Sequence, residues 1–154
     1  MTAVLSIGSN VGDRLAYLRL AVEVLQPRAV SPVYETAPVG GVEQDDFLNA
    51  ALLCDLDATA AWELAQEAER RAGRERDVRW GPRTLDVDMV VAEGPVPAGL
   101  ELPHPRAHER AFVLVPWLDL DADAVLPGHG RVLDLVDAMD LIGLERRSDL
   151  ALGP

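Results

Sequence analysis

Lysine is absent from this chain of 154 residues, so all 14 of its basic residues are arginine. The absence excludes a P-loop lysine, a Schiff-base lysine and a lysine general base. If the protein handles phosphate groups, it must therefore do so with arginine, which binds phosphate oxygens bidentately and keeps its charge at any physiological pH.

Cysteine and long apolar runs are also scarce. The single cysteine, Cys54, excludes an internal disulfide and a metal site built from cysteines. No apolar run approaches the ~20 residues of a membrane span, and the first 13 residues lack the basic and apolar pattern of a leader. We therefore expect one soluble, cytoplasmic domain over residues 1–154.

Basic residues are outnumbered, because 26 acidic residues give the chain a formal net charge of -12. This surplus argues against nucleic acid or an anionic membrane as a partner, since both are bound mainly through basic surfaces. The exception is residues 70–83, which hold six arginines and two acids. Small-molecule ligands are the partners that we expect, and the oligomeric state stays open, with a monomer being compatible.

The order of predicted elements indicates the fold class. Hydrophobic periodicity and turn residues predict strand, helix, strand, strand, helix, strand. Their approximate ranges are 2–7, 13–26, 30–36, 47–56, 57–72 and 84–91. This order is typical of an α+β fold with a ferredoxin-like βαββαβ core, in which both helices pack on one face of an antiparallel sheet. A C-terminal extension follows, with a possible hairpin at residues 94–102 and a weak helix at 132–141.

Two carboxylates interrupt the last core strand. Alternation directs Leu85, Val87 and Met89 to the core and Asp86 and Asp88 to the opposite face. Side chains two residues apart on one strand lie close enough to share or bridge magnesium ions. The pair is therefore a candidate metal site, and two exposed acids on a solvent-facing strand are the alternative.

An arginine-rich loop precedes this strand. Residues 74–83 contain Arg74, Arg76, Arg79, Arg83 and Trp80, without apolar periodicity. The tryptophan either stacks on a flat ligand or anchors the loop. Basic side chains beside a metal-binding carboxylate pair are typical of phosphoryl transfer, in which positioning and charge neutralisation provide most of the catalysis.

Two further groups are candidates for ligand contacts. His104 and Arg110 are suitable phosphate donors, whereas zinc binding by His104 and His108 fits poorly, because prolines disfavour a helix between them and no third ligand is evident. Gln66 and Glu69 form an i, i+3 pair on the second predicted helix. They either reach a ligand or are ordinary exposed helix residues.

Four separated segments of the chain carry a recognisable pattern. They are SIGSN followed by GDR at residues 6–14, YETAP through FLNA at 34–50, RWGPRTLDVD at 79–88, and PHPR followed by HERAF at 103–112. Together they resemble the 6-hydroxymethyl-7,8-dihydropterin pyrophosphokinase family. The resemblance covers residues 4 to about 118, and the third segment is the most specific. The chain departs from some members at Pro105, where they have an aromatic residue, and at Gly99, where they have arginine.

The resemblance implies an activity and a role for each matching residue. ATP would give its two terminal phosphates as a unit to the hydroxymethyl group of a reduced pterin, releasing AMP, with two magnesium ions on Asp86 and Asp88. Arg74 and Arg83 would bind the phosphates. The remaining implied nucleotide contacts are Gln66, Glu69, Arg76, Trp80, His104 and Arg110. The implied pterin contacts are Thr36, Ala37, Val39, Phe47, Asn49, Trp80 and Phe112.

Two other functions share parts of this pattern. Another two-metal nucleotide transferase or cyclase is compatible with the same topology, because fold alone does not determine function. A non-catalytic module that binds a phosphate ligand is compatible too, although it has less need of a carboxylate pair. An RNA-recognition domain is excluded, because it requires stacking aromatics on a basic face.

Overall fold

The structure is a computed structural model that describes residues 1–37, 46–73 and 84–152. Eight strands occur in these residues: β1 (Ala3–Ser9), β2 (Ala29–Val30), β3 (Tyr34–Thr36), β4 (Phe47–Cys54), β5 (Asp86–Ala92), β6 (Val125–Leu126), β7 (Gly130–Arg131) and β8 (Leu144–Arg146). The helices are α1 (Arg14–Leu25), α2 (Ala58–Arg71), α3 (Ala111–Leu120) and α4 (Val132–Asp137), with a 3-10 turn at Ala107–Glu109.

The main sheet is antiparallel and confirms the predicted α+β class. Its order is β5-β1-β4-β3-β8, and β2 also pairs with β4. The predicted single strand over residues 30–36 is wrong in one respect, because it is divided into β2 and β3. Pro32 lies in the gap, and proline has no N–H to donate to a ladder.

Both core helices begin where the sequence predicts. The Asp13 carboxylate accepts a hydrogen bond from the Ala16 backbone N–H at 3.1 Å, and the Asp57 carboxylate accepts one from Ala60 at 2.9 Å. These bonds satisfy N–H groups that the first turn of a helix leaves free. α2 is followed by Gly73 in the left-handed conformation (φ +70°), which ends the helix.

The helices cover the two faces of the sheet differently. α1 and α2 pack on the face formed by buried side chains such as Leu5, Leu52 and Met89. α3 packs on the opposite face, against Val4 and Ala51. Two helices therefore share one face, as predicted, while the extension supplies the cover of the other.

The C-terminal extension returns to the main sheet. After the β6-β7 hairpin and α4, β8 pairs with β3 so that Leu144 lies opposite Thr36 and Arg146 opposite Tyr34. α4 ends at Asp137, earlier than the predicted helix. The predicted hairpin at residues 94–102 is wrong, because these residues form bends and turns rather than paired strands. Within the described ranges, no helix has the length and apolar character needed to cross a membrane.

Candidate active site

The carboxylate pair lies on the edge strand β5, on the sheet face that also carries α3. Val87 and Met89 are buried under α1 and α2, so Asp86 and Asp88 project to the other side, as alternation predicts. Across the ladder, Asp86 lies opposite Gly8 and Asp88 lies opposite Ser6. Both acids are half-buried, which increases the electrostatic effect of any charge beside them.

Backbone hydrogen bonds at the outer edge of β5 bring two further candidates to the pair. The Val87 N–H donates to Glu69 Oε2 at 2.9 Å, and the His104 N–H donates to the Val90 carbonyl at 2.8 Å. Glu69 therefore supports the strand between the two aspartates. Gln66 is exposed three residues earlier on the same helix.

Arg110 connects the carboxylates to an aromatic ring. Its Nη1 lies 3.9 Å from Asp88 Oδ2, and its Cζ lies 5.6 Å from the centre of the Phe112 ring. Arg110 immediately precedes α3, so the packing of that helix positions the Arg110 backbone. A positive charge thus lies between the acidic part of the site and its aromatic part.

The surroundings of His104 favour the neutral imidazole. Burial lowers the pKa of its imidazole; the Asp88 carboxylate opposes that effect, and the Arg110 and Arg106 guanidiniums add to it. The Nδ1 atom accepts a hydrogen bond from the Arg106 backbone N–H at 3.1 Å. In the neutral ring the proton is therefore on Nε2, which can donate to an anionic ligand.

Asn49, Thr36 and Phe47 lie together on the same sheet face. Asn49 is 3% exposed, and its Nδ2 donates to Thr36 Oγ1 at 2.8 Å. Gly8 is the neighbour that makes room for this amide, because a Cβ there would lie 2.9 Å from Asn49 Oδ1 and 3.7 Å from Phe47 Cδ1. The row Asp86, Gly8, Asn49 crosses three adjacent strands.

A cavity of about 260 Å³ opens beside these groups. Thr36, Ala37, Arg110 and Phe112 line one part of it, and residues 140–144 line another. Sequence reasoning missed this second wall. Its only local signal is the apolar pair Leu141 and Ile142 before Gly143, since the long-range pairing of β8 with β3 determines where the segment lies.

Several predicted site residues fall outside the described ranges. They are Val39, Arg74, Arg76, Trp80 and Arg83. Their roles stay predictions. Among the described candidates, Glu69, His104 and Arg110 lie near the carboxylate pair, and Thr36, Ala37, Arg110 and Phe112 line the cavity. Asn49 and Phe47 lie next to Gly8, whereas Gln66 is exposed on α2.

The carboxylate pair is the best candidate for a metal site among the described residues. This part of the chain contains no group of three or more His, Cys, Asp or Glu side chains suited to an ion. Magnesium commonly takes only one or two protein carboxylates and completes its shell with substrate phosphates and water, so the pair fits it. Zinc fits less well, because zinc sites usually have three or four protein ligands and no such group occurs in this part of the chain.

Known proteins match both the sequence and the fold. Residues 4–122 match the family of 7,8-dihydro-6-hydroxymethylpterin-pyrophosphokinase. A 2-amino-4-hydroxy-6-hydroxymethyldihydropteridine pyrophosphokinase of Mycobacterium leprae is 55% identical over 145 residues, covering 83% of this chain and 76% of the relative. One of Methylorubrum extorquens is 40% identical over 154 residues, covering 94% and 97%.

A solved structure supports the fold independently. The crystal structure of HPPK-DHPS in complex with substrates has a TM-score of 0.65 to this chain at 10% identity. The match covers 89% of this chain and 43% of the other, so the chain spans less than half of that protein.

Proposed function

Because the chain belongs to the 7,8-dihydro-6-hydroxymethylpterin-pyrophosphokinase family of enzymes, we propose that it transfers pyrophosphate from ATP to 6-hydroxymethyl-7,8-dihydropterin in folate biosynthesis. The hydroxymethyl oxygen forms a bond to the β-phosphorus of ATP. The bond from that phosphorus to the oxygen bridging the α-phosphate breaks, and AMP and the hydroxyl proton leave.

The observation that carries this proposal is the row Asp86, Gly8, Asn49 across three strands. Neighbouring strands are ~4.8 Å apart, so the backbones of the first and last residues are separated by about 10 Å. That distance suits a substrate whose heterocycle lies at Asn49 and whose hydroxymethyl group points to a triphosphate at the carboxylates. Arg110, between Asp88 and Phe112, would face the transferred group.

Asp86 and Asp88 would hold two magnesium ions together with phosphate oxygens. When bound, the ions neutralise the triphosphate and stabilise the charge that develops on the transferred group. Without such cations the two carboxylates would repel the negatively charged nucleotide. The net charge of -12 on the whole chain would add to this repulsion. A second source of positive charge is therefore expected beside them.

Arginine and histidine would supply the remaining contacts to ATP. Arg110 lies beside Asp88, and the His104 imidazole is close enough for the Asp88 charge to affect its pKa. Both side chains would donate to phosphate oxygens, His104 through Nε2–H. The predicted roles of Arg74 and Arg83 as catalytic phosphate ligands are part of this proposal. The further proposed nucleotide contacts are Gln66, Glu69, Arg76 and Trp80.

The pterin would occupy the aromatic part of the site. Asn49 presents a donor and an acceptor to the edge of the heterocycle, and its bond to Thr36 orients the amide. Phe112 and Phe47 offer ring faces, with Trp80 as a further proposed aromatic contact. Backbone groups of Thr36, Ala37 and Val39 complete the proposed set.

The direct test is to incubate the protein with ATP, magnesium and the hydroxymethyl dihydropterin and to identify the products by chromatography. AMP and the pterin diphosphate are expected. ADP or free pyrophosphate as the product would instead indicate another phosphoryl or nucleotidyl transfer.

Asp88→Asn tests the carboxylates, because it removes a charge without changing the size of the side chain. We expect kcat to fall at least about a hundredfold. Asp134→Asn, on α4 and exposed, is the matched control and should leave kcat unchanged. Full activity in Asp88→Asn, with the same magnesium requirement, would contradict the metal role.

A further inference from the structure

The cavity beside Phe112 has a wall that the family match does not include. Residues 140–144 line it together with Thr36 and Phe112, and they lie beyond residues 4–122, which match the family. The cavity is continuous with the aromatic part of the site, because Thr36, Ala37 and Phe112 belong to both. Whatever binds among those residues is therefore adjacent to the C-terminal segment.

Hydrogen bonds hold this segment in one conformation. The Ala37 N–H donates to the Gly143 carbonyl at 3.3 Å, and the Leu144 N–H donates to the Leu141 carbonyl at 3.1 Å. The Ile142 N–H donates to Asp140 Oδ1 at 2.9 Å. Gly143 has a φ of +87°, which other residues rarely adopt, so the glycine permits the tight turn.

Ion pairs attach the following residues to the same sheet edge. The Arg147 N–H donates to the Val33 carbonyl at 2.8 Å, and its Nη1 lies 3.0 Å from Glu35 Oε1. The second oxygen of Glu35 lies 2.7 Å from Arg14 Nη1. Glu35 thus connects the C-terminal segment to α1, and the turn is positioned before any ligand binds.

This turn places two apolar residues at the cavity. Ile142 is 91% exposed and Leu141 is 40% exposed, and both line it. Covering such side chains with an apolar ligand surface is favourable by about 25 cal/mol for each Å² removed from water. A reduced pterin has flat apolar faces, and the same cavity already offers the Phe112 ring.

We propose that Ile142 is a pterin-contacting residue and that residues 140–144 form the tail-side wall of the pterin site. The inference rests on the proposed function, and it adds a specificity-determining contact from outside the matched region. Because the cavity is continuous with Thr36, Ala37 and Phe112, Ile142 acts mainly on the affinity for the pterin rather than on that for ATP.

The test is a set of substitutions at Ile142, assayed for the KM of each substrate, for kcat and for equilibrium binding of the pterin by fluorescence. Ile142→Ala should raise the pterin KM and Kd about threefold to tenfold, and Ile142→Asp should raise them further. Ile142→Leu should restore affinity close to that of the unchanged protein. The KM for ATP and kcat should change less than about twofold.

Val125→Ala is the matched control, because Val125 is also an exposed apolar residue (55%) but does not line the cavity. It should leave pterin binding unchanged. Equal pterin affinity in Ile142→Ala and the unchanged protein, while AMP is still produced, overturns the inference alone. A parallel loss of affinity for both substrates overturns it as well, since that indicates general damage. Absence of AMP formation by the unchanged protein overturns the proposed function and this inference together.

Discussion

Replacing Gly8 by alanine tests how closely the floor of the site is packed. Gly8 has no positive φ, so alanine is compatible with its backbone. Glycine inside a strand costs about 0.5–1 kcal/mol relative to alanine, and the substitution would therefore stabilise the protein if there were space for a methyl group. The structure predicts the opposite sign, because the new Cβ would lie 2.9 Å from Asn49 Oδ1.

The size of the stability loss depends on how far the Asn49 side chain can move. Asn49 is 3% exposed, and its amide is hydrogen-bonded to Thr36 Oγ1 at 2.8 Å, so a shift would break this bond or crowd buried neighbours. Overpacking of this kind costs about 1–3 kcal/mol, from which the backbone gain is subtracted. We expect a net loss of up to about 2.5 kcal/mol, which corresponds to a Tm lower by up to about 10 °C.

A double-mutant cycle with Asn49→Ala assigns the effect to this pair. In the Asn49→Ala background the clash is absent, so Gly8→Ala should be neutral or stabilising by about 0.4–1 kcal/mol. Displacing the amide should also raise the pterin KM about tenfold in the single variant Gly8→Ala, with a smaller effect on the KM for ATP. A Tm increase in Gly8→Ala, with unchanged pterin KM, would refute the reasoning.

Two further predictions concern buried and paired ionisable groups. The Arg14 guanidinium, with help from Arg147 and against the effect of burial, holds the pKa of the Glu35 carboxyl below its usual value. The ion pairs of Glu35 therefore stabilise the folded protein fully above the pKa that Glu35 has in the unfolded chain. This stabilisation is lost as the pH falls through the lower pKa that Glu35 has in the folded protein. In thermal melts, Glu35→Gln should have a lower Tm than the unchanged protein at pH 7, and the difference in Tm should decrease toward pH 3. A difference in Tm that does not depend on pH would contradict this. Burial, with a contribution from Asp55, raises the pKa of the Cys54 thiol to about 11. A thiol reagent at pH 8 should therefore label the protein only after unfolding. Rapid labelling of the native protein would argue against the buried position.

Local signals predicted the parts of the fold that depend on neighbouring residues. The helix caps at Asp13 and Asp57 follow from side chains that satisfy N–H groups within the same turn. The common face of Asp86 and Asp88 follows from strand alternation alone. These features need no knowledge of which elements later meet.

Long-range pairing determines what the sequence did not predict. The contact of Glu69 with β5 is one example: one of its oxygens accepts from the Val87 N–H, which only becomes its neighbour once α2 lies along β5. The tail-side wall at residues 140–144 depends likewise on β8 reaching β3. The divided strand is different, because its cause is local: Pro32, which lies between β2 and β3, has no N–H to donate to the ladder.

The pairing of β8 with β3 has a consequence for synthesis of the protein. Tyr34 and Arg146 are partners in the finished sheet, so the outer edge of β3 stays without its partner strand while more than 100 further residues are made. At ~5–20 residues per second, this interval lasts about 5–20 s. An open strand edge is a template for pairing with other chains during that time. β3 has three residues and follows Pro32, which keeps the exposed edge short until its own partner arrives.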